Sequence, residues 1–165
     1  MPLKDDFVAT QADFRTHPEH ARATFLADSS LIEGLRCETH IRQFSLTVDE
    51  PASGGGTDAG PNPVELVLAA LASCQEITYR IYAEALGIPL EAVSIKIEGD
   101  LDLRGLYAVK DGIRPGFQNI RGTVRLKSSA SSAELVRLKQ NVDAHCPVLD
   151  ILQSGVPVTL DLTPA

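Results

Sequence analysis

The sequence has no excess of positive charge. Its 15 lysines and arginines stand against 22 aspartates and glutamates, which gives a net charge of −7. Nucleic-acid binding requires a basic face, and anionic membranes attract polybasic segments. Long apolar runs are also missing, since the stretch from Val64 to Ala72 is too short to span a bilayer. We therefore expect neither nucleic-acid nor membrane partners.

Cysteine is scarce as well. Cys37, Cys74 and Cys146 have no close spacing, which excludes the disulfide framework of small secreted proteins. The chain opens without a basic segment followed by an apolar one, so we predict no signal peptide and a cytoplasmic location. Structural disulfides are rare in that compartment, and any cysteine pair is expected to cycle between thiol and disulfide.

The stretch from Pro61 to Gly87 is predicted to be one long, mostly buried helix with Cys74 near its middle. Asn62 suits the N-cap and Pro63 the first turn. Gly87 suits the position after the last helical residue. Because this helix is apolar nearly all round, the rest of the chain is expected to wrap it.

The remaining pattern predicts an α+β protein with antiparallel sheet around helices. Period-two alternation predicts a β-hairpin or bent strand over 35–49 and further strands near 93–103, 120–126 and 156–162. Ser131 and Glu134 have the spacing of a capping box that opens a helix. Residues 49–63 are a glycine-rich loop, and the sequence is divided into a helical extension, 1–34, and one main domain, 35–165.

Cys146 lies just before Pro147, where a short helix is predicted to begin. Free amides and the positive end of that helix would favour its thiolate, and His145 is a possible helper. The alternative is that Cys146 fills a buried helix break. For Cys74 the alternative is similar, since a thiol in an apolar helix is usually a small hydrophobe.

The segments PNPVELVLAALASC, ending at Cys74, and HCPVLDIL, containing Cys146, resemble the OsmC/Ohr family of thiol-dependent peroxidases. The glycine-rich loop and the order of elements fit as well, and the resemblance covers residues 35–162. It implies the OsmC-like fold, in which antiparallel sheets wrap long central helices, and an intertwined homodimer with sites at the subunit interface.

The resemblance also implies a reaction. Cys74 would attack an organic hydroperoxide, and hydrogen peroxide more weakly. Cys146 would then form a disulfide with it, and an external dithiol would reduce that disulfide, with no cofactor or metal. An arginine of the first hairpin would hold down the Cys74 pKa, with Arg42 preferred over Arg36. A glutamate would orient the arginine. The position usual for that glutamate holds Val64, so Glu65 is the candidate.

Two departures from the family pattern follow Cys74 directly, namely Gln75 and Glu76. Glu76 either pairs with Arg80 one helical turn on or faces the thiol and raises its pKa. Two other functions stay open: an apolar-ligand-binding protein and a redox sensor. A zinc site at the two cysteines and His145 has too few ligands. His17, His20 and their neighbours could suggest a metal site, but the carboxylates around them are ordinary surface composition, so we expect no metal there.

Overall fold

The computed structural model describes residues 3–164. It confirms an α+β protein and divides it into two compact units, one from the described part of Met1–Ala70 with Glu98–Arg121, the other from Leu71–Ile97 with the described part of Gly122–Ala165. The helices are α1 Leu3–Thr16, α2 Pro63–Leu86, α3 Leu103–Leu106, α4 Ser132–His145 and α5 Pro147–Ser154. The strands are β1 Asp28–Glu33, β2 Arg36–Ile41, β3 Phe44–Val48, β4 Ala92–Leu101 and β5 Phe117–Lys127. Short 3-10 turns span Pro18–Ala21 and Ala52–Gly54.

In the first unit, β1, β2 and β3 form an antiparallel sheet in that order. Ile41 pairs with Phe44, so the change of apolar parity near Arg42 is a tight turn. The prediction missed β1, which lies within the helical extension predicted for 1–34. All six residues of β1 are exposed, so it has no alternating pattern, and its position depends on pairing with β2.

The glycine-rich loop is organised around Asp49 rather than freely bending. Its buried carboxylate accepts hydrogen bonds from the backbone N–H of Glu50 at 2.8 Å, of Thr57 at 2.9 Å and of Ala59 at 3.2 Å. The Thr57 hydroxyl donates to it at 2.6 Å. The Thr57 hydroxyl, with the three amides, lowers the pKa of Asp49 to about 2. The ionised carboxylate therefore fixes the path of the chain into α2.

Strands β4 and β5 form a second sheet. The backbone N–H of Glu91, before β4, donates to the carbonyl of Lys127 at the end of β5, which fits an antiparallel pair. Strand β4 continues without a break through Gly99. The ring of Phe117 lies where a side chain on Gly99 would be, 2.6 Å from the ideal Cβ position. Glycine is needed there for the ring and not to end the strand.

The core of the second unit lies between α2, α4 and the segment after α2. Its fully buried members are Tyr79, Ala83, Ile88, Leu90, Leu138 and Val142. Side chains from β4 and β5, among them Ile95 and Val124, pack against it. Burial, together with the charge of Asp143, raises the pKa of Tyr79 to about 12. Its phenol therefore stays neutral at any physiological pH.

The predicted last strand is wrong for the single chain, since residues 155–164 have no regular structure. Val156, Val158, Leu160 and Leu162 still alternate with other residues, but all are exposed, Leu162 by 93%. A strand needs a hydrogen-bonding neighbour, and the described chain provides none for this segment. The expected coat around α2 is likewise incomplete, because Val64 and Ile77 are exposed. Within the described residues, no helix combines the length and apolar character needed to cross a membrane.

Candidate active site

Helix α2 holds Cys74 in place. Its start has the predicted N-cap, Asn62, which together with Glu65 forms a capping box: Asn62 Oδ1 accepts from the Glu65 N–H at 2.9 Å, and Glu65 Oε2 accepts from the Asn62 N–H at 2.8 Å. Its end is the predicted glycine, since Gly87 has φ of 67° and can adopt the left-handed conformation at no steric cost. Cys74 thus lies in regular helix and is partly exposed.

Cys146 lies at the junction of α4 and α5. The capping box predicted for α4 is present, as Ser131 Oγ accepts from the Glu134 N–H at 3.3 Å. Cys146 ends α4 and is also the N-cap of α5, with Pro147 at the first helical position. The Cys146 N–H donates to the carbonyl of Val142 at 2.9 Å, and Cys146 is only 1% exposed. Both helices therefore fix the backbone of this cysteine.

The two cysteines, 72 residues apart in sequence, meet in the second unit. The Sγ atoms of Cys74 and Cys146 are 3.3 Å apart, and both are free thiols. A disulfide bond is about 2.0 Å long. Only a small approach of the two sulfurs is needed for an oxidant to convert them to a disulfide, so the pair has the spacing of a dithiol that can be oxidised and reduced.

The surroundings of Cys74 act on its ionisation in opposite directions. Burial raises the pKa of the Cys74 thiol above its ordinary value, and the adjacent Cys146 thiol acts in the same direction. The backbone N–H of Val148, near the start of α5, and the Thr78 hydroxyl act in the other direction and favour the thiolate. The balance is a raised pKa.

The amides at the start of α5 were predicted to favour the thiolate of Cys146. The structure corrects that assignment: the Cys146 side chain forms no capping hydrogen bond, whereas the Val148 amide serves Cys74. That prediction was based on the cysteine–proline pair at a helix start. The packing of α5 decides which sulfur its amides face, and this packing cannot be inferred from the sequence.

Thr78 was not singled out from the sequence, although it is one turn after Cys74. It is buried, and its hydroxyl donates to the backbone carbonyl of Cys74 at 2.7 Å. The spacing of four residues was the only available signal, and threonine at that spacing is also common as a purely local contact.

His145 does not turn toward the thiols in the way considered above. Its Nδ1 donates to the carbonyl of Asn141 at 2.7 Å, and its ring stacks on Tyr82 with centroids 5.0 Å apart. Glu76 also has another partner than expected. Its Oε1 accepts from the backbone N–H of Ile95 at 3.1 Å, while Arg80 pairs with Glu84.

The other predicted residues lie in the first unit. Arg42 is at the tip of the β2–β3 turn with φ of 54°, and its guanidinium lies 5.2 Å from the ring centre of Phe44. Arg36, the alternative, pairs with Glu33 at 3.2 Å. Glu65 is in helical backbone and acts as the cap described above. The proposed catalytic roles of Arg42 and Glu65 stay predictions.

Comparison with known proteins adds the family. A model of the OsmC-like protein family matches residues 55–161. The chain belongs to the OsmC-like family. The family resemblance inferred from the two cysteine motifs is thereby confirmed. No curated protein matches the chain.

Solved OsmC-like structures share the fold. An OsmC-like protein from Mycoplasma pneumoniae has a TM-score of 0.70 and 22% identity, over 86% of this chain and 96% of that one. An organic hydroperoxide resistance protein, OsmC, from Legionella pneumophila has a TM-score of 0.61 and 24% identity, over 81% and 91%. An organic hydroperoxide resistance protein from Elizabethkingia anophelis, with thiocyanate bound, has a TM-score of 0.62 and 15% identity, over 80% of this chain and 89% of that one.

Proposed function

We propose that this OsmC-like protein is a thiol-dependent hydroperoxide reductase acting in oxidative stress defence, which reduces organic hydroperoxides and, more weakly, hydrogen peroxide. The observation that supports it best is the 3.3 Å separation of the Cys74 and Cys146 sulfurs. Two isolated core cysteines do not require this proximity, whereas a disulfide cycle does.

The reaction has three steps. The Cys74 thiolate attacks the terminal oxygen of the hydroperoxide, the O–O bond breaks, and the leaving alkoxide takes a proton to become an alcohol. Cys74 is left as a sulfenic acid. The sulfur of Cys146 attacks the Cys74 sulfur and releases water, which forms the disulfide. An external dithiol then reduces the disulfide by thiol exchange and is itself oxidised. No cofactor is needed.

The groups around Cys74 have separate tasks in this scheme. The Val148 amide supports the thiolate before attack. Because burial raises the pKa of Cys74, a cation is required to enlarge the thiolate fraction at neutral pH. We assign that role to Arg42, oriented by Glu65, on the family resemblance. Arg36, which is bound to Glu33, is the second choice.

The substrate class is supported by two features. Two of the structural relatives are named organic hydroperoxide resistance proteins. On α2, Val67, Leu68 and Leu71 come within the two turns before Cys74 and are at least half-buried. An apolar approach of this kind favours a substrate with a hydrocarbon tail over hydrogen peroxide.

We also propose a homodimer, in keeping with the family. The alternating apolar side chains at 156–162 and the exposed Leu31 and Ile32 of β1 are the surfaces that a second copy would cover. Light scattering at micromolar concentration should give twice the chain mass, and a monomeric mass would refute the dimer. The cytoplasm suits the cycle, since thiols are kept reduced there.

The test is peroxide-dependent consumption of dithiothreitol by the purified protein. Cumene hydroperoxide is compared with hydrogen peroxide, and Cys74→Ser with wild type. Cys37→Ser is the matched control, since Cys37 is on β2 of the first unit, whereas both cysteines of the dithiol belong to the second unit. We expect turnover in wild type and Cys37→Ser, faster with the organic peroxide, and none in Cys74→Ser. Equal rates in all three proteins would refute the proposal, and oxidation without turnover would favour a sensor.

A further inference from the structure

A cluster of possible metal ligands lies in the N-terminal part of the chain, apart from the thiol chemistry. His17, Glu19 and His20 each place one ligand atom within 4.8 Å of the others. Asp13 adjoins them, with both carboxylate oxygens at 3.1 and 3.3 Å from His20 Nδ1. Two imidazoles with carboxylates form a donor set that zinc and similar divalent cations bind.

The local fold explains the proximity. Helix α1 ends at Thr16, whose hydroxyl donates to the carbonyl of Ala12 at 2.7 Å. His17 follows as the N-cap of a 3-10 turn, and Pro18 fixes the first residue of that turn. The His20 N–H donates to the His17 carbonyl at 3.0 Å, which turns the chain back toward the last turn of α1.

Each imidazole has a carboxylate beside it. Asp13 holds Nδ1 of His20, and Glu19 Oε1 lies 3.5 Å from Nδ1 of His17. The two rings stack with centroids 5.0 Å apart and planes inclined by 24°. Metal-binding histidines typically donate one ring N–H to a carboxylate, which leaves the other nitrogen for the metal. His17, Glu19 and His20 are exposed and can adjust by rotation, and Asp13 is partly exposed.

We propose that His17, Glu19 and His20 bind a divalent cation of the zinc class, with Asp13 as the carboxylate that positions His20. Donor atoms in a tetrahedral zinc site are about 3.3 Å apart, given bonds of about 2.0 Å, whereas the ligand atoms here lie within 4.8 Å of one another. Rotation of the exposed side chains can bring the ligand atoms to the spacing of a zinc site. A water completes the coordination. All three ligands follow the end of α1 at Thr16, and Asp13, on the last turn of α1, links the ion to the helix through His20.

The test is zinc titration of the full chain against a chromophoric chelator. Cys74→Ser/Cys146→Ser is the background, so that the thiols do not compete. We expect one zinc per chain and at least a tenfold loss of affinity in His17→Asn and in His20→Asn. His40→Asn is the matched control, since His40 is an exposed histidine on β2 outside the proposed ligand set. Its Nδ1 lies 2.9 Å from Ser45 Oγ. His40→Asn should bind zinc like its parent.

A second measurement reports location. Hydrogen exchange of the amides over 13–20 should slow when zinc is added and stay unchanged in His20→Asn. Asp13→Asn should weaken binding by about tenfold, as is common for the carboxylates behind metal-bound histidines. Equal zinc affinity in His17→Asn, His20→Asn and His40→Asn, or no saturable binding by the background protein, would overturn the proposal.

Discussion

The backbone N–H of Val148 is the donor that favours the thiolate of Cys74 and works against the effect of burial on its pKa. The donor is near the start of α5, and Cys146, its N-cap, lies 3.3 Å from the same sulfur. In the proposed cycle, one helix start would supply both the partner for the disulfide and a donor to the attacking thiol. Under that proposal, Cys146 directly precedes a helix-opening proline so that both groups lie at the same helix start.

Replacing that donor tests its effect on the thiol. Val148→Pro removes the N–H at a position where the helix itself does not use it. In a Cys146→Ala background, we expect the pKa of Cys74 to rise by about one unit, since a hydrogen bond to a charged group contributes about 1.5 kcal/mol. The measurement is the pH dependence of thiol alkylation.

The control for this experiment is Val148→Ala, which keeps the N–H and should leave the Cys74 titration unchanged. Proline disfavours helical backbone in the residue before it, so circular dichroism should show that the helix content of Val148→Pro matches that of Val148→Ala. A Cys74 titration that is the same in both variants would contradict a role for the amide.

The two candidate arginines can be separated by substitution. Arg42 has φ of 54°, which asparagine tolerates better than arginine, so Arg42→Asn should fold at least as well as wild type. If the Arg42 guanidinium lowers the Cys74 pKa by about one unit, its loss in Arg42→Asn raises that pKa again and reduces the thiolate fraction. The rate of peroxide reduction by Arg42→Asn at a pH below the Cys74 pKa should then be about tenfold lower than that of wild type. Arg36→Asn, which breaks the Glu33 pair, should keep the rate. The opposite ranking of stopped-flow rates would assign the role to Arg36.

Glu65 caps the start of α2, so any catalytic role would be in addition to this structural one. Glutamine also serves in a capping box, so the free energy of unfolding of Glu65→Gln should be within about 0.5 kcal/mol of the wild-type value. Glu65→Ala should lose about 1 kcal/mol of unfolding free energy. Orientation of an arginine requires the charge, so we expect Glu65→Gln to lose activity several-fold. Full activity with unchanged stability would leave Glu65 as a cap alone.

The loop around Asp49 makes stability depend on acid. The carboxyl pKa falls from 3.8 to about 2 on folding, so its contribution is present in full above about pH 4 and is lost as pH falls through 2. The difference in free energy of unfolding between wild type and Asp49→Asn should therefore be constant from pH 5 to 7 and shrink toward pH 2. Urea denaturation at each pH measures it. A constant difference down to pH 2 would contradict the lowered pKa.

Local signals in the sequence predicted the elements around the cysteines, because caps and helix breakers act over a few residues. Asn62, Ser131, Pro147 and Gly87 were each assigned correctly. Features that depend on partners were missed. β1 has no pattern of its own, and the Val148 amide serves a sulfur 74 residues away in sequence. The 156–162 segment has the pattern of a strand without a neighbour in the described chain.

Gly60 tests whether the loop before α2 has to follow its observed path. A Cβ on Gly60 would lie 2.2 Å from the carbonyl oxygen of Thr47, a backbone atom that cannot rotate away. We expect Gly60→Ala to lose about 2 kcal/mol of unfolding free energy, in the range of overpacked sites. Gly116→Ala is the control, because its nearest neighbour, the end of the Arg114 side chain, is 3.9 Å away. Since Gly60 directly precedes the residues that cap α2, the same variant should also slow the reaction of Cys74 with peroxide if the loop helps to set the start of that helix. Equal denaturation midpoints for Gly60→Ala and Gly116→Ala would show that the loop can take another path.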